Sequence, residues 1–464
     1  MVGRRSSERI IKQMKLTFVG GARSVTGANY LLETKESKIL IDCGLHQGGR
    51  VCEKENYDDF PYDLTEIDAL FITHAHIDHV GRAPRLYRLG FRGDVFSTEP
   101  TKEFAEGLLM DSQDLLSREA IGAGRELLYD DKDINGLMSL WKTTGYHKEI
   151  LLKDLKITLF DAGHILGSAS IFIEAEGKKI VFSGDIGNAP APLVRNPEKI
   201  EGADYALIES AYGGRLHEDA NERRQILEDL IEEAVQSGGT IMIPAFAMER
   251  TQEILYELNG LVEAGRIPQI PVFLDSPLAI KLTSIYNKYV NNPEYIDKES
   301  MELFKKGDAI FRFPGLEFVL KTEDSKKIIE KGGPKIIIAG SGMSNGGRIV
   351  RHEAHHLKDE KNTLLIVGYQ AKGSLGRMIL DGAKSVRIVG EEVPVRAKVK
   401  AIGGYSSHAD QDGLLNWLRP MRSTLKKVFI VQGEEDQMVI LEKAIKDKLA
   451  IEAVIPQIGE SIEL

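Results

Sequence analysis

The sequence predicts an α/β protein in which a second α/β domain is inserted into a first, strand-rich one. Three observations predict it. Up to about Ser210, short apolar segments alternate with polar ones. From about Ala211 the rhythm becomes strand–helix–strand, the signature of parallel βαβ units. From about Ser385 the strand-rich style returns. A length of 464 residues suits two or three domains and a sizeable core.

The elements follow in order. Leu16–Val19, Ser37–Ile41, Ala69–Ile72, Lys156–Phe160, Ser170–Glu174, Lys179–Ser183 and Tyr205–Glu209 are rich in Val, Ile, Leu and Phe. Gly, Asp or Asn bound them, and they read as strands. Helical stretches at Lys102–Leu116 and Asp131–Leu140 interrupt them. In the middle region, Glu222–Gln236, Arg250–Ala264, Leu278–Val290 and Gly347–Leu357 read as helices. Thr240–Ile243, Pro271–Leu274, Lys335–Ala339 and Thr363–Val367 read as buried strands. Arg387–Val389, Val395–Ile402 and Lys427–Val431 are strands again, and a helix near Leu441–Leu449 closes the chain. The expected organisation is a tail over residues 1–14, the first domain over 15–210, the insert over 211–384, and the return of the first domain over 385–464.

Composition sets bounds. Only Cys43 and Cys52 are present, so no disulfide framework is expected and a reducing, cytoplasmic setting follows. The first residues are polar and basic, unlike a signal peptide, and no run of 18 apolar residues predicts a membrane span. The net charge of −10 neither requires nor forbids a nucleic-acid partner, which needs only a local basic surface.

The strongest local signal is Thr73-His74-Ala75-His76-Ile77-Asp78-His79, directly after the strand Ala69–Ile72. Strand alternation points His74 and His76 the same way, and Asp78 and His79 fall in the following turn. Three imidazoles and a carboxylate this close are costly to bury unless something binds them, and both are zinc-type ligands. Asp42, His164 in Asp161-Ala162-Gly163-His164, and Asp185 in Phe182-Ser183-Gly184-Asp185 also follow apolar strands. Strand ends opening into loops are where chemistry usually sits.

The histidine run, with His164, Asp185 and Asp42, resembles the metallo-β-lactamase signature. Gly20–Tyr30, Asp161–Ser168, Ser183–Gly187, Glu209–Gly213, Asp275-Ser276-Pro277, Ala339–Gly347, Gly368–Gly376 and Tyr405–Asp410 narrow the resemblance to the β-CASP branch, which includes bacterial and archaeal ribonucleases. The resemblance runs from about Lys15 to the C-terminus. It implies an αββα sandwich carrying an α/β insert. It also implies hydrolysis of RNA phosphodiesters by metal-activated water, endonucleolytic or 5′-exonucleolytic, leaving 5′-phosphate and 3′-hydroxyl ends.

By resemblance, one zinc is held by His74, His76 and His164 with Asp185 bridging, and a second by Asp78, His79 and Asp185. Manganese is the other candidate ion. Asp42 looks like a residue that orients a ligand. Asp78, Asp185, Glu209 and His408 are the expected catalytic set, with His408 protonating the leaving oxygen and Glu209 holding its tautomer. Ser341, Gly342 and Met343 lie in a Gly-rich strand–helix turn that could cradle an anion. Arg348, Lys372 and Arg377 could track phosphates. RNA is the implied partner, no membrane is, and a homodimer is left open.

Two features depart from this pattern. The branch usually carries a last histidine ligand where this chain has Gln432, in Phe429-Ile430-Val431-Gln432-Gly433-Glu434. A neutral amide is a poorer ligand, so a weakened second site is expected, with a catalytically silent RNA-binding protein as the alternative and a DNA or small-ester hydrolase as a third reading. Separately, His352-Glu353-Ala354-His355-His356 fits the H-E-x-x-H pattern of zinc proteases, a rival reading that rests on one short motif.

Overall fold

A computed structural model describes residues 13–47, 54–305 and 310–464. Two seven-stranded mixed sheets form the first domain. The first sheet runs Ser461–Glu463, Lys15–Gly20, Asn29–Glu33, Lys38–Ile41, Ala69–Phe71, Asp94–Ser97, Trp141–Thr143. The second runs Ala453–Val454, Lys427–Ile430, Tyr205–Ile208, Lys178–Phe182, Ala169–Ala175, Leu155–Asp161, Ile150–Leu152.

Alternation explains the strands. Lys15–Gly20 and Leu155–Asp161 bury every second residue, as half-covered strands must. The inner faces meet through Phe18 on Phe429, ring centroids 5.4 Å apart, and Tyr30 on Phe182 at 6.1 Å. Helices Gln411–Leu418 and Glu435–Leu449 cover the outer face of the second sheet through Trp417, Leu418, Met438 and Leu441, which pack with Val181, Ile208 and Ile430. Helices Ala83–Arg88, Glu99–Gly122 and Asp131–Ser139 flank the first sheet. The result is the αββα sandwich.

The insert holds a six-stranded parallel sheet in the order Leu316–Phe318, Val272–Leu274, Lys335–Ala339, Thr240–Pro244, Thr363–Ile366, Lys398–Ala401. Its central strands are buried throughout, as parallel sheets covered on both faces require.

Two expectations change. The strand read as Val395–Ile402 is Lys398–Ala401, and it pairs with Thr363–Ile366 in the insert. The shift in rhythm near residue 385 therefore marks a hairpin, Ser385–Ile388 with Glu391–Pro394, and the insert's sheet continues beyond it. At the N-terminus, Met14 is not loose: it is buried, and its carbonyl accepts from the amide of Leu464. Cys43 is a buried free thiol, pushed up to about 12 by burial, whereas Cys52 lies outside the described residues. Among the described residues no helix is long and apolar enough to cross a membrane.

Candidate metal centre and catalytic cleft

Parallel pairing brings the carboxyl ends of Lys38–Ile41 and Ala69–Phe71 to one edge of the first sheet. The ends of Lys178–Phe182, Tyr205–Ile208 and Lys427–Ile430 share an edge of the second. The loops after these strands, and the one after Leu155–Asp161, carry the predicted metal ligands together with Asp42, Glu209 and Gln432. His74 and His76 lie in the loop beyond the strand, while Asp78 and His79 sit on a four-residue helix, Ile77–Val80. The convergence expected from strand alternation is thus produced by the loop.

Four side chains come together. His76 Nδ1 stands 3.0 Å from His74 Nε2 and 3.1 Å from His164 Nε2, and Asp185 Oδ2 lies 3.4 Å and 3.5 Å from the same two Nε2 atoms. All four ligand atoms fall within 4.8 Å of one another. Ligands bound at about 2.0–2.1 Å to one tetrahedral ion stand about 3.3 Å apart. The set therefore fits a zinc-type ion.

The electrostatics agree. Burial, then neighbouring imidazoles, lowers His74, His76 and His164, so their lone pairs are free at neutral pH. His164 Nδ1 donates to the Ser407 carbonyl at 3.0 Å, which aims the Nε2 lone pair at the cluster. Burial alone would raise Asp185, but His79, His408 and His74 override it and hold the carboxyl well below its usual range.

Asp42 orients. Its Oδ1 accepts from the Thr73 amide at 2.8 Å, and its Oδ2 from Thr73 Oγ1 and His79 Nδ1, both at 2.8 Å. It touches none of the four clustered side chains in these bonds, and acts by fixing the loop and the His79 ring. Asp42→Asn should weaken metal affinity about 10–100-fold, read by competition with a chelating dye, while the purified protein keeps its far-UV circular dichroism.

Beside the cluster, Glu209 and His408 form a couple. His408 Nδ1 lies 3.0 Å from Glu209 Oε1 and 3.8 Å from Asp185 Oδ2. Glu209 is fully buried and accepts from the amides of Ile186 at 2.8 Å and Ala211 at 3.3 Å. Burial opposes a charge on His408, but Glu209 and Asp185 outweigh it and raise the imidazole to about 9.

His76, Asp78, Asp185, His408 and Gln432 line a cleft of about 190 Å³ between the first domain and the insert. Its far wall is Phe246, Met248, Arg250, Met343 and Tyr369, of which only Met343 was expected. Phe246 to Arg250 directly follow the strand Thr240–Pro244, so the strand-end rule could have found them.

The expected phosphate binders fare differently. The Ser341 amide donates to the Gly346 carbonyl and the Ile349 amide to the Gly340 carbonyl, so this turn is closed on itself. The helix after it begins at Ile349. Gly342 lies against the Phe246 ring, where a Cβ would come within 2.6 Å. Arg348 donates to Asp275 at 2.7 Å and to the carbonyls of Val319 and Leu320, which spends its guanidinium inside the insert. Arg377 pairs with Asp381, and Lys372 with Glu434 at 3.2 Å. Tyr369 also donates to Glu434, at 2.8 Å, so this glutamate of the first domain pins the insert's loop at the cleft.

The rival histidine motif lies on the helix Ile349–His356 and does not form a metal site. His352 Nε2 is bonded to Asp275 at 2.8 Å and Glu353 to Ser344 at 2.5 Å. Among the described residues these side chains form no group of three or more clustered ligands.

Comparison with known proteins agrees with this geometry. Residues 25–244 match the metallo-beta-lactamase superfamily, 251–379 the Beta-Casp domain, and 392–456 the Zn-dependent metallo-hydrolase RNA specificity domain. The chain is 39% identical over 430 residues to ribonuclease TTHA0252 of Thermus thermophilus, covering 93% of this chain and 95% of that one. It is 32% identical to the transcription termination factor FttA of Methanosarcina mazei (95% and 70% covered) and 30% identical to an RNase J-like protein of Methanocaldococcus jannaschii (96% and 98%). A crystal structure of a protein of unknown function from Enterococcus faecalis shares the fold, with a TM-score of 0.52 at 11% identity, covering 97% of this chain and all of that one. The chain belongs to the β-CASP branch of the metallo-β-lactamase superfamily.

Proposed function

We propose that this protein is a zinc-dependent ribonuclease that hydrolyses RNA phosphodiesters, leaving 5′-phosphate and 3′-hydroxyl ends. The observation that carries this reading is the placement of the His74, His76, His164 and Asp185 cluster beside the His408–Glu209 couple, with Asp185 within reach of both. A zinc ion held by those four residues would supply a Lewis acid and lower the pKa of a water molecule.

The rest is done by the chain. Glu209 accepts a hydrogen bond from His408 Nδ1–H and keeps the imidazole in its protonated form, whose Nε2 proton passes to the departing 3′ oxygen and leaves a neutral ring. Phe246 and Tyr369 offer aromatic faces for bases at the cleft wall. The ribonuclease names of two relatives support RNA as the substrate. An RNA-binding protein without cleavage is a second reading, motivated by Gln432, and the complete four-ligand cluster counts against it.

The test is a 5′-labelled RNA incubated with the protein and zinc or manganese, with unlabelled DNA as competitor. Internal cuts or stepwise 5′ release, ending in 5′-phosphates, are expected. RNA bound but uncut with either ion, or DNA cut in preference, would end this reading.

A further inference from the structure

We propose that this chain binds a single metal ion, and that the Gln432 side chain fills the position of a second. The inference rests on the metal-site reading above and concerns how many ions that site takes.

The ring of His79 decides it. Its Nδ1 is committed to Asp42 at 2.8 Å, so Nε2 is the only atom it can offer an ion. Gln432 Nε2 lies 2.7 Å from that atom. This is a direct hydrogen-bond distance, shorter than the roughly 3.3 Å between two ligands of one tetrahedral ion. With the amide turned the other way, Oε1 would take the same place and accept from Nε2–H. In both orientations the bond between the two side chains uses the lone pair or the proton at Nε2.

Gln432 also uses its remaining capacity. The same Nε2 lies 3.3 Å from Asp185 Oδ1, and Oε1 accepts from the Tyr30 hydroxyl at 3.3 Å. The two N–H donors of the amide thus meet two of the three groups that would hold a second ion, and its oxygen is spent behind them. The third group stays apart: the ligand atoms of Asp78, His79 and Asp185 are not gathered within 4.8 Å of one another as the first four are.

The side chain is anchored where it is. Gln432 is 4% exposed and sits at a left-handed φ of 49°. Its backbone N–H donates to the Gly21 carbonyl at 2.7 Å, and its backbone carbonyl accepts from the Ser210 N–H. Gly21 packs so closely that a Cβ there would come within 3.2 Å of Gln432 Cγ. An entering ion would have to break the Gln432 bonds to His79 and Asp185 in a buried place, and from Gln432 itself it would gain one neutral ligand at best. A His79–Asp185 pair at 3.3 Å would otherwise suit an ion, so the amide is what excludes it.

Metal content tests this without activity. The purified protein is loaded with excess zinc, desalted and measured by elemental analysis. One ion per chain is expected for the wild type and two for Gln432→His, which exchanges a donor for a lone pair. Gln432→Glu, nearly the same shape, is the second variant should the histidine not fold, and it should also take two. With manganese, electron paramagnetic resonance should show an isolated ion in the wild type and exchange-coupled ions in the variants. Two tight ions in the wild type would overturn the proposal while leaving the metal site intact. Variants that still bind one ion would overturn the role of Gln432. No ion at all would overturn this proposal and the metal-site reading together.

Discussion

Replacing His76 by alanine should remove bound metal and RNA cleavage together. His76 Nδ1 is the hub of the cluster, 3.0 Å and 3.1 Å from the two Nε2 atoms. Without it the ion would keep two imidazoles and one carboxylate. Loss of the ion's charge stabilisation, about 4 kcal/mol, corresponds to a fall in rate of roughly 10³-fold. Elemental analysis and cleavage of labelled RNA check the two halves. His352→Ala is the counterpart. Its ring is bonded to Asp275 within the insert, so metal content should be unchanged. Zinc retained in His76→Ala but lost in His352→Ala would revive the protease-like reading of the second motif.

Replacing His408 by alanine should slow cleavage by about 10²–10⁴-fold without releasing the metal, because a proton donor is lost and no ligand is. The pH profile tells this role from a structural one. The imidazole is raised to about 9, so the proton-bearing form dominates below that pH and is lost above it. The rate should therefore hold at neutral pH and fall as pH rises through about 9. A cation on Asp185 would cancel one source of the shift and draw the fall to lower pH. Glu209→Gln removes the main source and should move the fall lower still. A profile unmoved by Glu209→Gln would exclude His408 as the titrating donor. The same sign holds for stability. With a folded pKa above the unfolded 6.5, the pair's contribution is complete below that value and is lost as pH rises through about 9.

The metal ligands could be read from the chain because four of the candidates lie within six residues behind an apolar strand. Burying them without a bound ion would be expensive. Glu209 and His408 carry no local signal of this kind. They are 199 positions apart and meet only because the chain returns from the insert beside Asp185, so the resemblance alone supplied them. Arg348 read as a free cation because its partner, Asp275, lies 73 positions earlier. The strand Asn29–Glu33 escaped detection because all five residues are buried and leave no alternation. Lys398–Ala401 falls within the predicted strand Val395–Ile402, but which sheet takes an edge strand is settled by its neighbour and not by its own pattern.

One consequence of the site's construction reaches past catalysis. His74 and His76 follow a strand of one sheet, whereas His164 and Asp185 follow strands of the other. A cation gripped by all four would rivet the two layers of the sandwich at that edge. A chelator would then do more than silence the protein. It would unfasten that rim, and the loops around His74 and His164 would be the first to exchange their amide hydrogens with water.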